Sequence, residues 1–144
     1  MQLMFKASGI LQRSRGLTFD DVLLIPRHSE ISSRRHPNLK TKVTKNYCLD
    51  MPMVTANMDT ITEVEMACTM ARLGGMGILH RFMDLEAQVK MVGEIQKFQK
   101  EKGLKTPVAA SIGVKEDGQK RAEALAAAGV EILTVDIAHG DSVM

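Results

Sequence analysis

The sequence predicts a protein of the α/β class, built on a parallel sheet that is covered by helices. From Pro52 onward, short apolar segments alternate with segments of helical period, and little chain separates them. Such alternation is typical of βαβ units, in which helices join parallel strands. The apolar segments also end on polar residues, as strands do where they leave a parallel sheet at its functional edge.

Four apolar segments are predicted strands. They cover residues 53–57, 76–80, 107–114 and 132–135. Each is short and bounded by polar residues or glycine, as buried strands of a parallel sheet usually are. The last of them runs directly into Asp136.

A first helix is predicted between the first two strands. Thr62 and Glu65 have the Thr-x-x-Glu spacing of a capping box, in which two side chains satisfy backbone amides of the first turn. Apolar or small residues at positions 64, 67, 68 and 71 form the stripe of an amphipathic helix, which places Cys68 on its buried face. Gly74 and Gly75 are predicted to end this helix.

Two further helices are predicted, with Asp84 and Asp117 in position to cap them. The residues expected to face inward are Leu85, Val89, Val92 and Ile95 in the second helix, and Ala122, Leu125 and Ala126 in the third. Gly129 is predicted to end the third helix, since glycine adopts the left-handed conformation that helix ends favour.

Two architectures have this order of elements: an open doubly wound sheet and a (β/α)8 barrel. The dinucleotide-binding form of the open sheet carries Gly-x-Gly-x-x-Gly between its first strand and helix. The sequence lacks that motif, and Gly74, Gly75 and Gly77 precede a strand instead of following one. In a barrel, functional residues gather at the carboxyl ends of the strands. The polar strand ends therefore favour the barrel.

The length predicts only part of such a barrel. A complete one takes about 250 residues, whereas this sequence has 144 residues and reaches a fourth strand. The predicted fold is α/β, the N-terminal half of a (β/α)8 TIM barrel with about four parallel strands. Residues 1–51 are predicted to form an N-terminal arm, and residues 52–144 the strands with three helices. Because half a barrel leaves unpaired edges, we expect a second chain or a second copy to complete it.

Composition excludes several classes of protein. The sequence has 19 Lys and Arg against 17 Asp and Glu, a net charge of +2 that gives no argument for binding nucleic acid or a membrane surface. Two cysteines are too few for a disulfide scaffold. No apolar stretch approaches the roughly 20 residues that cross a bilayer. We expect a cytoplasmic protein.

Four segments carry a resemblance to a known family. They are residues 17–26 (LTFDDVLLIP), 56–60 (ANMDT), 75–81 (GMGILHR) and 136–142 (DIAHGDS). In this order they resemble the N-terminal signature and the ends of strands one, two and four of IMP dehydrogenases and GMP reductases. The chain is therefore identified by resemblance as a member of that family, over nearly its whole length.

The resemblance implies a redox reaction at C2 of a purine nucleotide. GMP reductases convert GMP and NADPH to IMP, ammonia and NADP, whereas IMP dehydrogenases oxidise IMP to XMP with NAD. Both use a cysteine thiolate that attacks C2, a case of nucleophilic catalysis. That cysteine lies in a glycine-rich loop beyond strand six of the family, and neither Cys48 nor Cys68 has such a setting. No catalytic residue is therefore expected in this chain, which by itself should be inactive.

GMP reductase is the favoured member of the family. IMP dehydrogenases usually carry a pair of CBS domains between the second helix and the third strand, whereas here residues 88–106 pass directly into Pro107. Residues 80–82 also look more like reductases, but residues 19–21 and 62–63 look closer to dehydrogenases, some of which lack the insert. An IMP dehydrogenase and a non-catalytic nucleotide-binding half-barrel stay open as alternatives. The expected cofactor is NADP(H), with NAD as the alternative.

The resemblance also implies site residues, each of which has a structural alternative. Those expected to bind the cofactor are Asp136, Ile137, Ala138 and Arg81, and those expected to bind the purine nucleotide (GMP or IMP) are Met58, Asn57, Ser111 and Gly113. The alternatives are a core methionine at 58, turn residues at 57, 111 and 113, a loop cap at 136 and a surface arginine at 81. Since the family is typically tetrameric, we expect a homo-oligomer.

The loop after the last strand contains three residues of types that bind metal ions. Asp136, His139 and Asp141 offer oxygen and nitrogen ligands there. No second cluster supplies the remaining ligands, so no metal site is predicted.

Overall fold

A computed structural model describes residues 17–141, which belong to two compact units, one ending at Pro37 and the other beginning at Asn38. The described part of the first unit, residues 17–37, begins with a turn. The backbone N–H and the hydroxyl of Thr18 donate to Oδ2 of Asp21 at 2.9 and 3.1 Å. These two hydrogen bonds lower the pKa of the Asp21 carboxyl, because they favour its charged form.

The second unit contains five short strands and three helices among its described residues, 38–141. In chain order they are β1 (Thr41–Lys42), β2 (Cys48–Leu49), α1 (Val64–Arg72), β3 (Ile78–Leu79), α2 (Leu85–Lys102), β4 (Ala109–Ile112), α3 (Glu116–Ala127) and β5 (Ile132–Val135). Strands β1 and β2 form an antiparallel hairpin, and β3, β4 and β5 form a parallel sheet in that order. The predicted α/β class with a parallel sheet is thus confirmed. Within the described residues, no helix is long and apolar enough to cross a membrane.

The first predicted strand, residues 53–57, is reduced to a single parallel bridge between Val54 and Met76. The backbone bonds there run from Thr55 N–H to the Met76 carbonyl and from Met76 N–H to the Met53 carbonyl, each at 3.0 Å. The pairing stops at Ala56, whose carbonyl accepts a hydrogen bond from the hydroxyl of Thr62.

The two faces of the sheet pack against different parts of the chain. Ala109 packs with Leu49 and Met76, whereas the next residue, Ala110, packs with Leu79 against the helices. This follows from the period of two in a strand, which sends consecutive side chains to opposite faces. Leu49 belongs to the β1–β2 hairpin, so residues 38–51 share a compact unit with the sheet.

All three helices cover the same face of the sheet. One apolar cluster joins Leu79 and Ala110 of the sheet to residues of every helix, namely Ala67 and Cys68 in α1, Val92 and Ile95 in α2, and Leu125 in α3. A doubly wound sheet has helices on both faces. The described helices do not follow that pattern.

The helix α1 confirms its predicted stripe but not its predicted cap. Ala67, Cys68 and Ala71 are buried. The capping box is wrong, because the N-cap residue is Glu63 and no side chain bonds to the first turn. Thr62 instead points its hydroxyl back to Ala56 and lies 2.8 Å from the hydroxyl of Thr55.

The caps of α2 and α3 differ from the prediction in detail. Asp84 is the N-cap residue of α2, although its side chain makes no capping hydrogen bond. Asp117 is not a cap, because α3 begins at Glu116 and its N-cap residue is Lys115. The inward assignment of Ala126 is wrong, since Ala126 is exposed beside the buried Leu125. Leu125 and Ala126 lie about 100° apart around the helix, and Leu125 is the one that packs into the apolar cluster.

Glycine ends α1 and α3 as predicted. Gly74 and Gly129 have φ values of 82° and 87°, which is the left-handed conformation. Only glycine adopts this conformation without steric cost.

The contact between α1 and β3 yields a test of the packing. A Cβ at Gly77 would lie 2.6 Å from Cα and 2.9 Å from Cβ of Ala67. Because the atoms in the way are backbone and a methyl group, we expect Gly77→Ala to lower the free energy of unfolding by about 1–3 kcal/mol. Urea unfolding followed by circular dichroism measures this change.

Gly93→Ala in α2 is the matched control. A Cβ there meets nothing within 4 Å, so this change should be neutral or should stabilise the helix by up to about 1 kcal/mol. Equal unfolding curves for the two variants would contradict the close approach of α1 to β3.

Candidate functional site

A cleft lies at the carboxyl ends of the three parallel strands. Arg81 follows β3, Gly113 follows β4 and Asp136 follows β5, and all three line it. The remaining lining residues are Val114, Lys115, Asp117, Ile137, Ala138 and His139. The cleft has a volume of about 480 Å³. The sequence-predicted residues Arg81, Gly113, Asp136, Ile137 and Ala138 are thus brought together.

An ion pair between Arg81 and Asp136 spans the cleft. Nε of Arg81 donates to Oδ2 of Asp136 at 3.1 Å, and the two side chains are 34% and 30% exposed. At that exposure, water screens the pair, and it contributes about 1 kcal/mol or less to stability. The pair therefore orients the two groups more than it stabilises the fold. The backbone N–H of Asp136 donates to the Ile112 carbonyl at 2.9 Å, which fixes the start of the loop after β5.

The guanidinium group of Arg81 is held by two further neighbours. Its central carbon lies 4.9 Å from the centre of the Phe82 ring, a cation–π distance. A Cβ placed on Gly113 would lie 3.5 Å from Nη1 of Arg81, so the glycine backbone lies directly beside the guanidinium. The position of Arg81 is therefore set by Asp136, Phe82 and Gly113 together.

A second polar group surrounds His80, which is 2% exposed. Nε2 of His80 lies 3.6 Å from Oδ1 of Asp59 and 3.6 Å from Oε1 of Glu63. These distances are too long for hydrogen bonds, and Nε2 has no hydrogen-bond partner within the described structure. Nδ1 accepts the backbone N–H of Phe82 at 3.2 Å. In a neutral ring, this hydrogen bond places the proton on Nε2, which faces the two carboxylates.

The tautomer of His80 bears on metal binding. Among residues 17–141, the ligand atoms of Asp59, Glu63 and His80 lie within 4.8 Å of one another, whereas Asp136, His139 and Asp141 form no such group. A metal-bound histidine coordinates through a deprotonated nitrogen and usually donates its other N–H. In His80 the other nitrogen accepts a hydrogen bond, so a neutral ring presents an N–H group, and not a lone pair, to the two carboxylates.

The residues predicted to contact the nucleotide lie apart from the cleft, except for Gly113. Met58 is 55% exposed, which contradicts its alternative interpretation as a core methionine. Asn57 is half-buried. Both precede Thr60, whose φ of 61° is rare for a β-branched residue. Ser111 is buried in β4, and its hydroxyl has no hydrogen-bond partner among the described residues.

Sequence reasoning missed two residues that hold the strand ends. Gln88 of α2 is fully buried, and its side-chain NH₂ donates to the carbonyls of His80 and Ser111, each at 3.0 Å. Its Oε1 accepts from Nη1 of Arg121 at 2.8 Å. The missed signal was the position of Gln88, which lies between Leu85 and Val92 on the predicted inner face. A polar residue on such a face is usually a paired one.

Comparison with known proteins agrees with these features. Residues 16–144 match the IMP dehydrogenase / GMP reductase domain, which covers most of the chain. The chain belongs to this family. The resemblance inferred from the four sequence motifs is therefore confirmed.

The similar relatives include both members of the IMP dehydrogenase / GMP reductase family. The chain is 38% identical to the inosine-5'-monophosphate dehydrogenase of Cryptosporidium parvum, over 89% of the chain and 40% of that protein. It is 50% identical to the GMP reductase of Leishmania donovani, over 58% of the chain and 17% of that protein. It is 47% identical to the inosine-5'-monophosphate dehydrogenase of Nitrosopumilus maritimus, over 60% and 18%. The chain thus spans less than half the length of these relatives.

The two cysteines of this family member differ in their surroundings. Cys68 is buried in the apolar cluster of α1, and Cys48 is exposed. Burial raises the pKa of the Cys68 thiol, and the nearby carboxylate of Glu94 raises it further. Since the thiolate is the reactive form, Cys68 is a poor nucleophile.

This difference predicts the alkylation pattern of the native protein. At mildly alkaline pH, iodoacetamide should modify Cys48 several-fold faster than Cys68, because Cys68 is both inaccessible and less ionised. Mass spectrometry of the two cysteine peptides over time measures both rates. In concentrated urea the rates should become similar, and similar rates in the native protein would contradict the burial of Cys68.

Proposed function

We propose that this chain forms part of the (β/α)8 barrel of a purine nucleotide oxidoreductase of the GMP reductase type, with an IMP dehydrogenase as the alternative. The observation that carries the proposal is the cleft at the carboxyl ends of β3, β4 and β5. Barrel enzymes place their active sites at that end of the strands. Four residues that the family resemblance assigns to the cofactor line this one cleft: Arg81, Asp136, Ile137 and Ala138.

Two features of the fold support a barrel over an open sheet. The parallel strands are ordered as in the chain, and all the described helices lie on one face. On that same face, Leu133 of β5 pairs in register with Ala110 but is 37% exposed, and Val135 is 52% exposed. A barrel covers the outer face of each strand with the helix that follows it. We propose that residues outside this chain supply that cover and the remaining strands.

The cleft residues fit the parts of a nicotinamide dinucleotide. The volume of the cleft, about 480 Å³, lies within the range of roughly 300–1,000 Å³ that is usual for ligand sites. Arg81 and Lys115 carry positive charge for a phosphate, and Ile137 and Ala138 offer apolar surface. Asp136 has one oxygen on Arg81, and a carboxylate accepts about four hydrogen bonds, so it can also accept from a ribose hydroxyl. We propose NADP(H) as the ligand, with NAD as the alternative; when bound, it would exchange a hydride with C2 of the purine.

The purine nucleotide is proposed to lie near the other predicted residues. Met58 offers an exposed apolar side chain, and the unpaired hydroxyl of Ser111 offers a buried hydrogen bond. Asn57 and Gly113 are proposed to shape the same side of the site. The cysteine nucleophile is proposed to lie outside residues 1–144, because Cys68 is buried and Cys48 adjoins Leu49, near the amino-terminal ends of the strands. Assembly as a homo-oligomer and a cytoplasmic location complete the proposal.

Calorimetry with NADPH, NADH, GMP and IMP tests the cleft. We expect the chain to bind a dinucleotide, and we expect Asp136→Asn to weaken that binding about 10- to 100-fold, since a hydrogen bond to a charged group is worth about 1.5–3 kcal/mol. The control is Asp50→Asn, which removes an exposed carboxylate that pairs with Lys40 at 3.6 Å outside the cleft. This control should bind as the unmodified chain does.

The outcomes separate the alternatives. Binding of GMP or IMP without any dinucleotide would favour the non-catalytic nucleotide-binding half-barrel. Well-folded protein that binds none of the four ligands, or an Asp136→Asn variant with unchanged affinity, would contradict the proposed cofactor site.

A turnover assay tests the position of the nucleophile. The chain alone should show no oxidation of NADPH with GMP and no reduction of NAD with IMP, because neither cysteine lies at the cleft. NADPH fluorescence follows both reactions. Turnover that survives replacement of both cysteines by serine would point to a contaminant, whereas turnover lost on replacing Cys48 would contradict the proposal.

A further inference from the structure

We propose that Gln88 and Arg121 are positioning residues that hold Arg81 and Asp136 in place across the cleft. The use of this device in ligand binding rests on the proposed function, whereas the positioning itself does not. Three features support this role: the hydrogen bonds of Gln88, the surroundings of Arg121 and the backbone carbonyls that the two side chains hold.

Gln88 joins the ends of two neighbouring strands. One NH₂ group reaches the carbonyl of His80, just after β3, and the carbonyl of Ser111, within β4. The side chain is fully buried, so water cannot replace it at either carbonyl. A buried carbonyl that loses its partner is left desolvated without a hydrogen bond, which is strongly unfavourable. The amide therefore couples the two strand ends tightly.

Arg121 fixes the amide of Gln88 from the opposite side. Its side chain is 11% exposed, and its two terminal nitrogens bond to Oε1 of Gln88 at 2.8 Å and to the Met83 carbonyl at 3.0 Å. The planar guanidinium makes these bonds from two separate nitrogens, a geometry that the single nitrogen of a lysine does not reproduce. Asp117, which lines the cleft, lies 4.0 Å from Nη2 of the same guanidinium. Arg121 thereby connects α3 with the loop after β3.

The fixed carbonyls adjoin the groups that hold the ion pair. His80 directly precedes Arg81, whose Nε bonds to Asp136. Ser111 directly precedes Ile112, whose carbonyl accepts the N–H of Asp136. Arg81 is therefore one residue away from a carbonyl that Gln88 holds, and Asp136 is one residue and one backbone hydrogen bond away from the other.

Gly118 provides a further link from α3 to the cleft. A Cβ at this glycine would overlap the Gly113 carbonyl, so α3 lies directly on the turn after β4. Gly113 in turn lies beside the guanidinium of Arg81. Arg121 anchors α3. A shift of α3 would therefore move Gly113 and, with it, the guanidinium group of Arg81.

The same helix supplies a matched control. Gln96 of α2 also donates from its NH₂ group to two backbone carbonyls, those of Ala128 and Gly129, at 2.8 and 3.2 Å. These carbonyls follow α3 at the end remote from the cleft, and neither residue lines it. Replacing either glutamine by methionine removes two hydrogen bonds to backbone carbonyls. Gln88→Met also removes the bond from Arg121, and only Gln88 adjoins the cleft.

The experiment compares Gln88→Met with Gln96→Met in the full chain, by NMR of the Arg81 side chain without ligand. We expect the exchange of the Arg81 Nε–H with water to rise about fivefold in Gln88→Met, as the loss of roughly 1 kcal/mol of hydrogen bonding implies. In Gln96→Met it should stay unchanged, although both variants lose stability. Equal exchange rates in the two variants would overturn the proposal.

Arg121→Lys is the second variant, because Gln88→Met removes a fully buried amide and can prevent folding. The lysine keeps the charge but loses the bidentate contact, so it should raise the exchange rate of Arg81 Nε–H by a smaller factor. An unchanged rate would overturn the role of Arg121.

Dinucleotide affinity gives the readout for function. Gln88→Met should weaken NADPH binding by about the same fivefold factor, and Gln96→Met should leave it unchanged. If the unmodified chain binds no dinucleotide, the proposed function fails, while the exchange of Arg81 Nε–H still decides whether Gln88 positions the ion pair.

Discussion

Parallel pairing of β3, β4 and β5 is the constraint on which the rest of the second unit depends. Because the three strands run in one direction and in register, their carboxyl ends share one edge. Arg81, Gly113 and Asp136 follow those ends and meet in one cleft, although 55 residues separate the partners of the ion pair. The alternation of side chains divides the same strands between a helix-covered face and a face closed by Leu49 and Met76.

The cleft is held by buried hydrogen bonds more than by its own charges. The pair of Arg81 and Asp136 is partly exposed and contributes little to stability. The buried amide of Gln88, in contrast, is paired on both its nitrogen and its oxygen. Two buried polar atoms remain unpaired within the described structure, Nε2 of His80 and Oγ of Ser111. Both lie at the strand ends, where unpaired groups are expected if a ligand is to complete them.

Much of the fold could be predicted from local pattern. The strand at 132–135 and the stripe of α1 follow directly from the periodicity of apolar residues, and glycine marks the ends of α1 and α3. The capping box at Thr62 could not be predicted to fail, because the hydroxyl of Thr62 bonds to Ala56 and Thr55, contacts that only the folded chain reveals. The role of Gln88 could not be predicted in the same way, because the periodicity of apolar residues identifies an inner face but says nothing about a polar residue on it.

The sequence by itself determined the class of the protein and its family, because alternating strands and helices and four ordered motifs are properties of the chain alone. Through the family resemblance it also predicted a common role in cofactor binding for Arg81, Asp136, Ile137 and Ala138. Only the tertiary structure decided that these side chains share a cleft with Lys115 and Asp117, and that Gln88 and Arg121 support it. The physical reason is that hydrogen bonds between residues far apart in the chain depend on distances of about 3 Å. Those distances exist only once the sheet and its helices have packed together.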